Sequence, residues 1–594
     1  MNVDEISLDT TFNPIYKYNP IFRTEFSNTF LGNTGQAVIS NDFTRRNYNH
    51  PFLFAIPYTA YMNTPFNILH FNTRKPFTEI KYLSSGTKDD SEQVLSALHT
   101  QNINQFSNVG LFYDLIASKG KFPDSNVSTN RINLFGSYDK QNYSFYTSFH
   151  YNGYKAQENG GVLDLDEFIN GQNEPLNFVM QLNDANSRLK NMNVFFTQKL
   201  NMAALTTDSA RSEKLDNFSF HHTVNYERYV KTYRDRINTS DTLGYYQNNY
   251  YLINEAYDSA FYQNISNRFD LGVNLANESQ EFRVYLKHEL KVFSYADPVF
   301  IDYDSTSTLT DTVLRLPERE LYNDISIGGQ YIGRLKTWYY KLNGQLYLTG
   351  YNLGDLLVNG EFLKYFNDKQ RYVKLSGEIS SLKPSYFLIN YGSSHFKWNK
   401  AFTKIESTKA EIEYSGLKNF TGRISLNFMN DFVYFNSDAL PVQYGGQLLV
   451  TTLRLDKTFS VGMFRSRNQV MYQISSSDIV RLPDLAFNNR TWFEASVFKD
   501  ALQFQVGAEI YYFTSYFGDA YMAATGQFYN QNDAVIGNFP FLTGFLNAKI
   551  ARTRFTLQYS NALAGFLKGN YFMAYRYPNF NETLRFGLAW TFYD

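Results

Sequence analysis

In residues 501–512 every second position is apolar. Leu502, Phe504, Val506, Ala508, Ile510 and Tyr512 fall on one face, and Gln503, Gln505, Gly507 and Glu509 on the other. Residues 338–348 repeat the pattern, with Trp338, Tyr340, Leu342, Leu346 and Leu348 opposite Tyr339, Lys341, Asn343, Gln345 and Tyr347. A period of two marks a β-strand whose two faces meet different surroundings. Such segments, of roughly ten residues each, follow one another from about residue 66 to the end, with no helix-period segment between them.

The connections alternate in length. Asp139-Lys140-Gln141-Asn142, Asn277-Glu278-Ser279-Gln280, Arg334-Leu335-Lys336, Asn367-Asp368-Lys369-Gln370, Leu417-Lys418-Asn419, Lys499-Asp500 and Ala551-Arg552-Thr553 are short and polar. The links between them, such as residues 156–188, 231–263, 296–321 and 517–539, are mostly long. A β-propeller would repeat every 40–50 residues or so with a blade signature, which is not seen. The pattern predicts an all-β, closed antiparallel transmembrane barrel of about 22 strands (roughly 20–24), with short periplasmic turns and long extracellular loops. Residues 1–65 stand outside the alternation and read as an irregular N-terminal segment; residues 66–594 read as the barrel. Tyr16, Tyr18, Phe22, Phe26 and Phe30 in this otherwise polar segment predict that part of it packs inside the lumen.

The last strand is the most specific signal. Leu584, Phe586, Leu588, Trp590 and Phe592 make an unbroken apolar face against Arg585, Gly587, Ala589 and Thr591. Such a strand closes the barrel, and its rings end at a membrane interface. Gly587, Trp590 and Phe592 also form a run that resembles the C-terminal signal read by outer-membrane insertion machinery, although Tyr593-Asp594 extend past the usual terminal aromatic residue.

Composition supports membrane residence without a helix. Phe (54) and Tyr (48) are abundant while Trp (4) is scarce, and mean hydropathy is −0.40. No run of about 18 apolar residues is present, and in a barrel only alternate residues meet lipid. Cysteine is absent, which removes disulfides and thiol chemistry. With 55 basic and 56 acidic residues, no basic face for nucleic acid is indicated. The polar, acidic start Met1-Asn2-Val3-Asp4-Glu5 carries no export signal and reads as a processed chain.

Several short motifs resemble one group, the "putative porin" barrels of Bacteroidota-type outer membranes: Tyr18-Asn19-Pro20-Ile21, Leu31-Gly32-Asn33-Thr34-Gly35, His99-Thr100-Gln101-Asn102, Glu158-Asn159-Gly160-Gly161, Lys383-Pro384-Ser385-Tyr386-Phe387, Ser394-His395-Phe396-Lys397-Trp398, Gly569-Asn570-Tyr571-Phe572 and Leu584-Arg585-Phe586-Gly587. Their order spans nearly the whole chain. The resemblance implies a barrel that acts as a channel and brings no catalytic residues.

If the apolar faces meet lipid, the opposite faces line the lumen. Alternation assigns Arg283, Lys287, Glu289, Lys291, Lys341, Lys374, Arg423, Arg454, Arg465 and Arg467 to that wall. So many ionised groups would be costly in a dry core, so the interior is expected to be wet or filled with polar protein, its charges serving a solute path, wall-bracing ion pairs, or both. Basic residues outnumber acidic ones among those assigned, and a weak anion preference follows. No nucleophile elbow, P-loop or zinc-protease motif occurs. The acidic clusters Asp164-x-Asp166-Glu167 and Asp302-x-Asp304 could supply oxygen ligands to Ca²⁺, yet neither completes a coordination loop. No cofactor, metal or enzymatic activity is expected. The expected function is passive diffusion of hydrophilic solutes; the alternative is an accessory or structural barrel of a larger secretion, assembly or uptake complex. A plugged active transporter would need a plug of well over a hundred residues. Expected partners are outer-membrane lipid and lipopolysaccharide, the insertion machinery, and further copies or other envelope proteins.

Overall fold

Alternating sequence becomes alternating exposure. On Gln280–Tyr295, Phe282, Val284 and Leu286 are exposed, whereas Arg283, Tyr285, Glu289 and Lys291 are buried. On Thr583–Tyr593, Leu584 and Phe586 are exposed and Arg585 is buried. Apolar side chains thus point outwards and charged ones inwards, the inverse of a soluble barrel and the pattern that lipid selects.

The computed structural model describes residues 11–170, 174–205, 215, 217–236, 244–248, 250, 255–275, 279–296, 319–366, 371–416, 419–567, 570–580 and 582–593. Twenty-two strands close into one antiparallel barrel. In chain order these are β1 (Phe77–Ser85), β2 (Glu92–Asn104), β3 (Ser107–Ser118), β4 (Val127–Lys140), β5 (Tyr143–Glu158), β6 (Ala185–Asn201), β7 (Phe218–Arg236), β8 (Glu255–Leu275), β9 (Gln280–Tyr295), β10 (Glu320–Leu335) and β11 (Trp338–Tyr347). The second half comprises β12 (Leu356–Tyr365), β13 (Tyr372–Leu382), β14 (Ile405–Ser415), β15 (Phe420–Asn430), β16 (Gln447–Val461), β17 (Phe464–Ser475), β18 (Leu485–Val497), β19 (Leu502–Phe513), β20 (Phe541–Ile550), β21 (Thr553–Ser560) and β22 (Thr583–Tyr593). Each strand pairs with its sequence neighbours. Closure joins β1 to β22, with Ile80 opposite Trp590 and Phe77 opposite Tyr593.

One rim carries short turns, such as Gln141-Asn142, Gly462-Met463 and Ala551-Arg552. The opposite rim carries the long loops 159–184, 383–404, 431–446, 514–540 and 561–582. The expected turn at 367–370, residues 417 and 418 of that at 417–419, residues 277 and 278 of that at 277–280, and the cluster Asp302-x-Asp304 lie outside the described residues.

Two boundaries differ from the pattern in the sequence. The first barrel strand starts at Phe77 rather than near residue 66; the chain before it contains Pro65 and Pro76, and proline lacks a ladder N–H. Strands β7 and β8 run well into the stretch read as loop, to Arg236 and from Glu255, where Arg234 and Glu255 pair at 2.5 Å. At 19 and 21 residues they exceed the roughly 9–11 needed to span. Their far ends mix polar residues into both faces, with Lys231, Asp235 and Asp258 buried inwards and Thr232, Arg234 and Glu255 outwards, so hydropathy does not alternate there although burial does.

Residues 11–74 run inside the barrel. Arg554, just past a short turn, donates to the Thr11 carbonyl at 3.0 Å, and Gln558 to the Tyr16 carbonyl at 3.0 Å. The chain then rises to the loop rim, where Asn33 donates to the Ser125 carbonyl at 2.8 Å. There Gly32 (φ 86°) passes so close to the Pro578 carbonyl that no side chain would fit. It descends past Asn152, which accepts from the Asn63 amide at 2.9 Å. Near the turn rim Asn102 accepts from the Thr73 amide at 3.1 Å, and β1 follows.

Candidate functional site

Charged groups, buried surface and internal space converge in the lumen. Its wall is built as paired charges. On β9, Arg283 meets Glu281 at 2.5 Å, Lys287 meets Glu289 at 3.0 Å and Lys291 meets Asp324 at 2.7 Å. Lys374 lies 3.5 Å from Glu361, and Arg423 sits between Glu413 (3.0 Å) and Glu411 (3.6 Å). Arg467 holds Asp456 at 2.6 Å. Lys341 shares the inner face with Asn343 and Gln345 and is exposed. Arg465, beside a turn, donates to the Gly462 and Phe464 carbonyls at 2.6 and 3.0 Å. Arg454 differs from all of these: its partners are Glu25 (2.6 Å) and Asp42 (3.2 Å), both on the N-terminal segment.

The segment is fastened at further points. The Tyr16 hydroxyl donates to Glu509, which also accepts from Asn488 at 2.8 Å. The Arg490 guanidinium lies 3.7 Å from the Tyr16 ring centroid. Gln473 on β17 grips the segment just after its small hairpin of Asn28–Phe30 with Val38–Ser40, accepting from the Phe43 amide (3.1 Å) and donating to the Asn41 carbonyl (2.8 Å). Burial pushes the Glu25 carboxyl above its ordinary pKa, with Arg454 and Arg45 pulling it back.

Loops from the long rim fold inwards to meet the segment. Phe52 and Phe54 pack on Phe387 at 5.4 and 5.1 Å, and Tyr48 on Phe432 at 4.8 Å. The Tyr58 and Tyr521 hydroxyls bond at 2.8 Å, and Gln527 donates to the Leu53 carbonyl at 3.3 Å. The segment and three loops therefore share one apolar core, which roofs the lumen. Below and beside that roof a cavity of about 610 Å³ remains between segment, loops and wall.

On β22, Trp590 is exposed on the outer face with its ring 4.1 Å from that of Phe592. Gly587 faces inwards, where a Cβ would lie 2.8 Å from Thr556 Cγ2 and 3.3 Å from Ile15. It marks the place where the N-terminal segment presses on the closing strand.

The acidic residues at 164–167 form a helix start: Asp164 accepts from the Glu167 amide at 3.0 Å. Among the described residues no three His, Asp or Glu side chains group as a metal site would require. His221 and His222 lie on opposite faces of β7, the first near Glu281 (3.5 Å), the second stacked on Phe269 (4.5 Å).

No curated protein matches the chain. Solved structures with a similar fold include a mutant of the ferric enterobactin receptor from Pseudomonas aeruginosa in complex with enterobactin, at 11% identity and TM-score 0.58, covering 88% of this chain and 82% of that one. The siderophore receptor PirA from Acinetobacter baumannii is similar at 10% identity and TM-score 0.58, covering 88% and 82%. The ferric-catecholate import receptor Fiu of E. coli is similar at 12% identity and TM-score 0.57, also covering 88% and 82%. At such identities the likeness concerns the 22-strand barrel alone. A family model described as "Putative porin" matches residues 1–594. Lipid-facing strands, closure and family together place the protein in the bacterial outer membrane. The chain belongs to the "Putative porin" family of outer-membrane β-barrels.

Proposed function

We propose that the protein is a channel through which hydrophilic solutes diffuse across the outer membrane, and that its N-terminal segment is the gate. The observation that carries this reading is the inner face of the wall, which carries ionised and amide side chains, together with a cavity of about 610 Å³ left between the N-terminal segment and the loops inside it. A barrel serving only as a wall-to-wall scaffold could fill that space with apolar side chains at lower desolvation cost. The segment meets the wall through ion pairs and hydrogen bonds, which water can replace when it moves, and through apolar packing of residues such as Phe26, Phe30 and Phe54, which holds it in place at rest. The receptors with similar barrels are named for ferric enterobactin and ferric catecholates, which supports transport as a role for a barrel of this size. Lipid and lipopolysaccharide would surround the wall, and the insertion machinery would read β22.

Planar-bilayer conductance tests the reading. The intact chain should conduct weakly, and deletion of residues 11–65 should raise the conductance several-fold by clearing the lumen. A reversal potential across a salt gradient should report a weak anion preference that fades as the Debye length shortens to about 10 Å at 0.1 M. If both forms are silent, the channel reading fails. The second reading, an accessory barrel of a larger envelope complex, is favoured by the roof of loops and would then take its place.

A further inference from the structure

The cavity between the N-terminal segment and the roof is unevenly charged. Arg23, Arg45, Arg46, Arg131 and Arg481 line it, against Glu25 and Asp519. Several of these are committed to partners: Arg131 to Asp114, Arg45 to Glu25 at 3.1 Å, and Arg46 to Asp519 at 3.9 Å. Arg23 and Arg481 are different. The Arg23 guanidinium donates only to the Tyr18 carbonyl (3.2 Å) and the Lys17 carbonyl (3.5 Å). Arg481 donates to the Asn532 side chain at 2.5 Å. Among the described residues neither makes a close ion pair, although Asp114 acts on Arg23 and Asp519 on Arg481 from further away.

Two buried guanidinium nitrogens on this cavity also lack an acceptor, Nε of Arg131 and Nε of Arg481. Arg131 is 3% exposed. A buried charged donor without an acceptor costs free energy that an incoming anion recovers. Apolar side chains complete the lining, among them Ile21, Val38, Leu53, Ile56, Phe432 and Phe528. The volume lies within the range of small-molecule sites, roughly 300–1,000 Å³, and a largely apolar lining with a few convergent polar groups is the usual construction of one.

We infer that this cavity is a binding site for a small organic anion with an apolar body, whose carboxylate or phosphate group is taken by Arg23, Arg131 and Arg481. The inference rests on the channel reading for its biological sense, because it names the solute class at the point where segment and roof meet. It does not rest on it for its chemistry. The bound solute would touch both the segment, through Arg23, and the loop 476–484, through Arg481, so occupancy and the position of the segment are linked.

Isothermal titration of the purified full-length protein in detergent gives the test, with phenylbutyrate and phenyl phosphate as anionic probes and phenylbutylamine as the cationic counterpart. At least one anion should bind about tenfold or more tightly than the amine, since the arginines offer it charge-assisted hydrogen bonds that the amine cannot accept. The two anions distinguish carboxylate from phosphate preference. The double variant R23Q/R481Q should lose about tenfold in anion affinity while leaving amine binding unchanged. Equal binding of anion and amine to the unaltered protein would overturn the site whether or not the variant folds, as would full anion affinity in a folded double variant. Because titration is independent of conductance, binding by a silent protein would sink the channel and keep the site. Conductance without selective binding would do the reverse.

Discussion

Arg454 is the residue on which wall and segment depend most directly, because it faces Glu25 and Asp42 together. Removing it leaves two carboxylates of the segment close together and largely buried, a loss of roughly 3 kcal/mol if the site stays dry. We expect R454M to expose the segment to limited proteolysis in a barrel that remains folded, and R454M/E25Q/D42N to restore most of the protection. Cleavage of R454M at the rate of the unaltered protein would show that other contacts suffice. The wall charges also show how far residues can be read singly. Glu281 stands two positions before Arg283 and Glu289 two after Lys287, so alternation already puts each pair on one face. Glu25 and Asp42 give no such sign, since the segment follows no period and its partners lie more than four hundred residues away. The sequence therefore overstates the free positive charge of the wall.

Among the elements, the closing strand β22 combines three demands. Its outer face meets lipid, its two edges pair with β1 and β21, and its inner face meets the N-terminal segment. The first two were legible as an unbroken apolar face ending in Trp590 and Phe592. The third was not: Gly587 is required on the inside, where Ile15 and Thr556 leave no room for a side chain. Replacing Trp590 and Phe592 with Ala removes two rings from the lipid side, roughly 3–6 kcal/mol of apolar burial, and the segment most like an insertion signal. Outer-membrane levels of W590A/F592A should fall sharply in fractionated cells. Normal levels would show that neither ring matters to assembly. Strands β7 and β8 were underestimated for a related reason. Towards the loop rim polar residues such as Lys231, Asp235 and Asp258 are buried on the inner face while Thr232, Arg234 and Glu255 lie on the outer one. Hydropathy therefore stops alternating while burial and the hydrogen-bonded ladder continue.

For the molecule as a whole, asymmetry between the rims assigns its orientation: the loop rim outwards and the turn rim to the periplasm. With no native cysteine, single substitutions report cleanly. A membrane-impermeant maleimide applied to intact cells should label D438C, in the loop 431–446, and spare K140C, beside the turn Gln141-Asn142. The opposite labelling would invert the barrel. Occupation of the lumen also belongs to this scale. A barrel of 22 strands is too wide for its own side chains to fill, and here the space is taken by residues 11–74 and by loops that fold back from the rim.

Strand type, approximate number, facing and the alternation of turns and loops were all determined by the sequence itself, because lipid on one side and a polar interior on the other impose a period of two that any ordered strand must carry. The closing strand was legible for the same reason. What surrounds the lumenal charges was decided only in the tertiary structure. The segment, the inward loops and the cavity they enclose with Arg23, Arg131 and Arg481 come from distant parts of the chain, and irregular backbone has no periodicity by which its neighbours could be foreseen.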